Sequence, residues 1–126
     1  MIKKLIALSA LLIISSCNSK QYFSVVVWNK TNTKLKNMVV WDKDAKAYSM
    51  GIFSPQAQYT RDFMYTLLSE NIKLTWTEYE SGIEREVQVD MQGIIPDKYD
   101  GGTVQFDILG SDNVKAKFYF AKKYDF

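Results

Sequence analysis

The chain has 126 residues and a mass of 14.6 kDa, which is enough for one domain. Hydrophobic residues make up 47% and charged residues 24% of the chain, a composition typical of folded rather than disordered proteins. Histidine is absent and there is a single cysteine. The sequence therefore excludes Ser-His-Asp and Cys-His catalysis, histidine-containing metal sites and an intrachain disulfide.

The beginning of the chain has the features of a targeting segment. Residues 1–4 are a short basic start with Lys3 and Lys4, and residues 5–14 form a run of apolar and small residues, too short for a spanning helix of about 20 residues. The tetrapeptide Ile14-Ser15-Ser16-Cys17 resembles the bacterial lipobox. The resemblance implies cleavage before Cys17, a diacylglyceryl group on its thiol and acylation of the new amine, and two or more acyl chains anchor stably. An ordinary signal peptide with a chance cysteine and a buried helix are the alternatives.

These features predict three parts of the chain and a location. We expect a lipoprotein signal peptide at 1–16, the lipidated Cys17 with a short tether at 17–21, and a folded domain at 22–126. Asn18 follows the cysteine, whereas an aspartate there tends to retain enteric-type lipoproteins in the inner membrane. We therefore expect an outer-membrane lipoprotein facing the periplasm, with the inner membrane and the cell surface as alternatives.

The charge of the processed chain gives a further exclusion. Cleavage before Cys17 removes Lys3 and Lys4, two of the 16 basic residues, and leaves 14 basic and 14 acidic residues. The strongly basic surface typical of nucleic-acid binding is therefore not predicted.

The remainder of the chain consists of short runs rich in β-branched and aromatic residues, separated by turn residues, which predicts strands. The run at 23–29 is continuously apolar, which favours a strand buried on both faces or paired centrally. Residues 30–37 are predicted as a polar turn region and 42–47 as a charged loop. Further strands are predicted at 38–41, 48–53, 58–64, 72–77, 84–91, 103–109 and 114–120.

Two of these runs alternate cleanly and flank a hairpin connection with a glycine at Gly82. The alternation predicts that one side of each strand faces the core, namely Ile72, Leu74 and Trp76 on one strand and Val87, Val89 and Met91 on the other. About eight short strands without a helical period predict an all-β fold, a single two-sheet antiparallel sandwich of immunoglobulin-like kind. The Cys…Trp…Cys signature of true immunoglobulin domains is absent, and a small barrel is the alternative.

The hairpin carries the candidate site. Four carboxylates, Glu78, Glu80, Glu84 and Glu86, surround its turn, with basic residues nearby to pair with them. One interpretation is catalytic, since paired carboxylates can act as acid and base in glycoside hydrolysis. A second is structural, since charges at a solvated hairpin tip prevent strand edges from pairing with other chains. A third interpretation is a charged contact surface for a protein partner. We take the partner-binding candidates to be Glu78, Tyr79, Glu80, Glu84 and Arg85, with no catalytic residue.

Other chemistry is sparse. The acidic stretches at 42–44 and 97–100 lack the spacing of an EF-hand, so they are predicted to be solvated loops and no metal or cofactor is expected. Trp28, Trp41 and Trp76 lie in predicted strands, where packing in the core is the expected role. No phosphate-binding loop or G-x-S-x-G motif occurs.

Three stretches together resemble a set of small bacterial lipoproteins: FSVVVWN, IKLTWTEYESGIEREVQVDM and IIPDKYDGGTVQFDI, with Trp76, Gly82 and Pro96 as the matched points. Several of those proteins are similar to immunity lipoproteins encoded beside type VI secretion effectors. The resemblance implies a periplasmic protein that neutralises a toxin.

These observations predict a non-enzymatic, lipid-anchored binding protein, most simply an immunity protein that blocks a secreted antibacterial toxin by steric occlusion. Its partners would be the membrane, through the lipid, and a protein, with neither nucleic acid nor a small-molecule substrate. An envelope structural or assembly lipoprotein that binds a resident membrane protein is the alternative, and a hydrolase that uses the acidic hairpin is a third hypothesis.

Overall fold

Eight strands account for most of the residues that the structure describes. The structure is a computed structural model, and it describes residues 23–64, 70–97 and 101–120. The predicted signal peptide, Cys17 and the tether lie outside these residues. The strands are β1 (Phe23–Asn29), β2 (Leu35–Asp42), β3 (Ala45–Phe53), β4 (Gln58–Met64), β5 (Asn71–Glu78), β6 (Glu84–Asp90), β7 (Gly102–Gly110) and β8 (Asn113–Phe120).

The strands form two four-stranded sheets that pack face to face. Sheet 1 has the order β4-β1-β7-β8, and sheet 2 has the order β3-β2-β5-β6. The predicted all-β, two-sheet sandwich is confirmed, and β1 is a central strand as its apolar run indicated. One pairing departs from the antiparallel prediction, since β1 and β7 run parallel from the Phe23–Gly102 pair to the Asn29–Ile108 pair. The long connection between these two strands allows β7 to enter beside β1 in the same direction.

Two predicted loops are wrong in their limits. Residues 30–37 contain the start of β2, because Leu35 is buried and pairs with both Phe53 and Glu78. Asn37 has a φ of 53° at an irregularity of β2, a conformation that asparagine tolerates and that makes a strand look like a turn in sequence. Residues 42–47 reduce to a two-residue turn between β2 and β3, with Lys43 at φ 56°.

The core lies between the sheets and follows the predicted alternation. Sheet 1 contributes Val25, Val27, Val104, Phe106, Ile108, Val114 and Ala116, and sheet 2 contributes Leu35, Met38, Val40, Tyr48, Phe53, Ile72, Leu74, Trp76, Val87 and Val89, with Met91 just after β6. Burial of each Val, Leu, Ile, Phe or Met side chain in this list contributes about 1.5–3 kcal/mol. Trp76 is buried as predicted, but Trp28 and Trp41 are only half-buried and lie on the outer faces of sheets 1 and 2.

The start of β7 is packed too closely for any side chain. A Cβ added to Gly102 would overlap the ring of Phe118 and lie 2.7 Å from the carbonyl oxygen of Tyr119. Gly102 therefore allows β7 and β8 to approach each other at this end of sheet 1, where Gly102 pairs with Phe120.

Candidate functional site

The β5–β6 hairpin is closed by a tight network of main-chain hydrogen bonds. The Glu78 N–H donates to the Ile83 carbonyl over 2.8 Å, and the Gly82 N–H donates to the Glu78 carbonyl over 3.0 Å. Gly82 has a φ of 74°, a left-handed conformation that glycine adopts without a steric penalty. The predicted hairpin connection is thereby confirmed, and the residues on either side of the turn are held in fixed register.

The carboxylate of Glu78 is engaged inside the hairpin. One oxygen accepts a hydrogen bond from the Ser81 hydroxyl over 2.8 Å, and the other lies 3.1 Å from both Nε and Nη2 of Arg85. The Ser81 hydrogen bond, assisted by Arg85, holds the pKa of Glu78 below its ordinary value. Glu78 and Arg85 thus stabilise the hairpin and leave less of their charge for a partner.

The other predicted site residues differ in what surrounds them. Glu80 and Glu84 are exposed, and the Tyr79 side chain is 42% exposed. Glu86, at the same hairpin, lies 2.9 Å from the ammonium of Lys73. The prediction that basic residues pair with the hairpin carboxylates is confirmed for Glu78 and Glu86.

Two lysines complete the surroundings of Tyr79 and are absent from the predicted site. The Tyr79 N–H donates to the Lys34 carbonyl over 2.9 Å, which brings the segment before β2 against the hairpin. The Lys34 ammonium lies 4.1 Å from the centroid of the Tyr79 ring and that of Lys36 lies 5.7 Å away. The only sequence signal was the lysine repeat in KTNTKLKN, which the turn prediction assigned to solvent.

The loop that carries Lys34 is organised by a buried asparagine at the end of β1. The Asn29 side chain is fully buried; its Nδ2 donates to the Thr33 carbonyl over 2.8 Å, and its Oδ1 accepts from the Thr31 hydroxyl over 2.6 Å. Further bonds from Nδ2 reach the carbonyls of Phe53 and Ser54, at 3.4 and 3.3 Å. Buried polar groups need such partners, and here they fix the approach of the β1–β2 loop to the hairpin.

A recess of about 490 Å³ lies between the β1–β2 loop, the base of the hairpin and the β7–β8 turn. Its walls include Lys30, Thr31, Arg85 and Ser111, whose side chains all carry hydrogen-bond donors. The recess adjoins the predicted contact residues, since Glu78 and Arg85 form part of its wall.

The outer face of sheet 1 holds a buried carboxylate. The Asp107 side chain is 2% exposed, and one of its oxygens lies 3.3 Å from the ammonium groups of both Lys30 and Lys117. The other oxygen accepts a hydrogen bond from Gln105 over 2.7 Å. Trp28 on β1 pairs with Asp107 on β7, and the Lys30 ammonium lies 4.4 Å from the centroid of the Trp28 ring. The charge of Asp107 is therefore neutralised within the fold.

Within residues 23–64, 70–97 and 101–120, no three His, Cys, Asp or Glu residues lie close enough together to hold a metal ion. The same ranges contain no helix whose length and apolar character would let it cross a membrane.

Comparison with known proteins supports the fold alone. No family model and no curated protein matches the sequence. A protein from Eubacterium rectale, whose structure was determined by NMR, superimposes with a TM-score of 0.50 at 13% sequence identity. The match covers 84% of this chain and 94% of that chain, so the likeness extends over nearly the whole of the other protein.

Proposed function

We propose that this chain is a lipid-anchored binding protein facing the periplasm, and that it blocks a secreted antibacterial toxin by covering the toxin's active site. Two separate parts of the chain support the proposal. The single cysteine stands at the acylation position of a lipobox-like tetrapeptide. The β5–β6 hairpin supplies an exposed turn that is held by main-chain hydrogen bonds on a two-sheet body.

The observation that carries the binding role is the surroundings of Tyr79. The residue is 42% exposed, yet its main chain is bonded to Lys34 and the Lys34 ammonium lies over the ring. A large exposed ring that is already held in place loses little conformational entropy when a partner covers it. Tyrosine is also among the residues that contribute most at interfaces, which favours Tyr79 over the rim carboxylates Glu80 and Glu84.

The proposed inhibition is steric. A hairpin that enters the active-site cleft of a toxin excludes the substrate without any chemistry of its own, and the lipid raises the local concentration of the inhibitor at the membrane. Hydrolysis by the hairpin carboxylates is less well supported. Glu78 is held by Ser81 and Arg85 with a lowered pKa, which is the opposite of what a general acid requires.

A bacterial competition assay tests the proposal. Deletion of the gene should make the strain sensitive to its own secreted effectors, and the wild-type gene should restore resistance. If the deletion strain stays fully resistant, the immunity role is wrong. A deletion strain that shows an envelope defect without sensitivity to effectors would instead favour the structural or assembly alternative.

Variants at Cys17 and Tyr79 test the lipid anchor and the contact residue in the same assay. Cys17→Ser should lose the acyl chains, measured by mass spectrometry of the purified protein, and should protect less well. Tyr79→Ala should abolish protection, whereas Tyr119→Ala should retain it, because Tyr119 is similarly exposed at 49% but lies on β8 in the other sheet. An intact leader and an unmodified thiol in the wild-type protein would contradict the lipid anchor.

A further inference from the structure

The outer face of sheet 2 carries two aromatic rings, each with two lysines beside it. The outward residues of β2 and β5 lie side by side, since Lys36 pairs with Thr77 and Trp41 pairs with Lys73. Lys46 on β3 pairs with Trp41 from the other side. We call the six residues that form this surface the lysine–aromatic face: Lys34, Lys36, Trp41, Lys46, Lys73 and Tyr79.

Both rings are fixed before any partner arrives. The Trp41 Nε1–H donates to the Thr75 hydroxyl over 2.8 Å, and the ammonium groups of Lys46 and Lys73 lie 5.6 and 5.5 Å from its ring centroid. Tyr79 is held through its main chain, whose N–H donates to the Lys34 carbonyl, and the Lys34 ammonium lies 4.1 Å from the centroid of its ring. Trp41 pairs with Lys73, six residues before Tyr79, so the backbone positions of the two aromatic residues are about 20 Å apart at ~3.3 Å per residue, a length that suits a protein interface of ordinary size.

The lysines of this face are mostly left without an acid. Lys73 pairs with Glu86, at 2.9 Å. Among the residues that the structure describes, no carboxylate lies within ion-pair distance of Lys34, Lys36 or Lys46. The aromatic rings beside these lysines replace a carboxylate partner only weakly, since a cation over an exposed aromatic ring is stabilised by about 0.5–1 kcal/mol. The face therefore presents positive charge around two half-covered rings.

The neighbouring strand has the opposite charge. The outward residues Glu84, Glu86 and Asp90 of β6 are exposed and form an acidic row at the edge of the same sheet. An anionic bilayer would attract the lysines and repel this row, whereas a protein surface can match both zones. The arrangement thus favours a protein partner over a membrane surface.

We propose that the lysine–aromatic face binds an acidic patch on the surface of the protein partner, with the acidic row of β6 fixing the orientation. This inference rests on the proposed function, because it states the chemistry of the partner that the hairpin contacts. Carboxylates of the partner pair with Lys34, Lys36 and Lys46, while its apolar groups cover the Tyr79 and Trp41 rings. The contact then extends from the hairpin across sheet 2 and excludes sheet 1.

Site-specific photocrosslinking of the full chain in its own envelope tests this surface. A photoreactive phenylalanine analogue is placed at Ser49, which is exposed and pairs with Val39 beside the face, or at Lys115, exposed on the outer side of sheet 1. A third position, Glu80 at the hairpin tip, reports on partner binding independently. We expect one discrete protein adduct from positions 49 and 80 and none from 115.

Charge reversal then tests the chemistry. Lys36→Glu should lower the adduct yield at position 49 by about tenfold or more, whereas the matched reversal Lys115→Glu should leave it unchanged. Mass spectrometry of the adduct identifies the partner segment, in which we expect Asp or Glu. Reversing that partner residue to Lys should restore the adduct with the Lys36→Glu variant. Thermal unfolding of both variants verifies that they remain folded.

The outcomes separate this inference from the proposed function. An adduct from position 80 that is absent at 49, or one at 49 that Lys36→Glu does not affect, would overturn the acidic-patch inference and leave partner binding intact. Phospholipid adducts at position 49 would overturn it in favour of a membrane contact. The absence of a protein adduct from all three positions would contradict the proposed function as well.

Discussion

The two outer faces of the sandwich contain the same kinds of side chain but arrange them differently. On sheet 1, Lys30 and Lys117 lie 3.3 Å from Asp107, a carboxylate that is almost completely buried. On sheet 2, Lys34 and Lys36 surround an exposed ring, and no acid among the described residues lies beside them. A lysine next to an aromatic ring is therefore not by itself a sign of a binding site. The position of the neutralising acid distinguishes a structural cluster from a surface that retains its charge.

The largest expected effect is the loss of the buried acid on sheet 1. Asp107→Ala removes two ion pairs and the hydrogen bond from Gln105, and we expect it to lower the free energy of unfolding by about 3 kcal/mol. Glu86→Ala is the matched change on sheet 2. Its carboxylate is 63% exposed and pairs with Lys73 alone, so the loss should stay below about 1 kcal/mol. Urea unfolding followed by circular dichroism measures both, and equal losses would show that the two faces do not differ.

Substitution of one glycine in each sheet compares how closely the two sheets are packed. Gly102→Ala places a methyl group against the Phe118 ring and the Tyr119 carbonyl in sheet 1, which should cost about 2 kcal/mol. Gly51→Ala on β3 of sheet 2 meets nothing within 4 Å and should be neutral or slightly stabilising. Thermal unfolding of the two variants tests this difference, which would be refuted if Gly102→Ala were as stable as the wild type.

Substitution of the two half-buried tryptophans by phenylalanine should change the stability of the protein by different amounts. The Nε1 of Trp28 is buried without a hydrogen-bond partner among the described residues, so Trp28→Phe removes an unsatisfied donor. The Nε1 of Trp41 donates to Thr75, and Trp41→Phe leaves that hydroxyl without its donor. Because both changes lose similar apolar area, Trp28→Phe should leave the protein about 1–2 kcal/mol more stable than Trp41→Phe. Equal stability in urea would argue against this account of Trp28.

The smallest expected effect is the pH dependence of stability that comes from Glu78 in the hairpin. A carboxyl whose pKa is lower in the folded than in the unfolded state contributes stability above its unfolded pKa, and that contribution disappears as the pH falls through the folded value. The stability advantage of the wild type over Glu78→Gln should therefore be complete above about pH 5 and should vanish in stronger acid. NMR titration provides the direct measurement. Ser81→Ala should raise the pKa of Glu78, and an unchanged pKa would exclude the Ser81 hydroxyl as the main cause of the lowered value.

The strand content was predictable from local sequence because alternation of side chains determines which residues face the core. Ile72, Leu74 and Trp76 are buried as predicted, and the run at 58–64 has the limits of β4. The parallel pairing of β1 with β7 was not predictable, because it depends on how distant parts of the chain meet. The start of β2 was missed since Leu35 is a single apolar residue among polar ones, and a left-handed Asn37 imitates a turn.

The candidate site was predictable only where its contacts are local. Glu78 and Arg85 are diagonal neighbours across a hairpin, in which Arg85 pairs with Trp76, so their closeness in the sequence indicated the ion pair. The lysines around Tyr79 come from another strand, and the pairing of β2 with β5 that brings them together has no signature in either segment. The burial of Asn29 and Asp107 was missed because polar and charged residues are usually exposed, and the partners that compensate these two come from distant segments.

The parallel ladder between β1 and β7 has a consequence for how the chain acquires its structure. Among the described strands, the valine-rich β1 comes first in order of synthesis, yet one of its two neighbours is β7, the seventh of them. Until β7 arrives, β1 has an unpaired edge of the kind that promotes aggregation. Contacts this distant in sequence also slow folding. A nascent or truncated chain that ends before Gly102 should therefore depend on chaperones much more than the finished protein does.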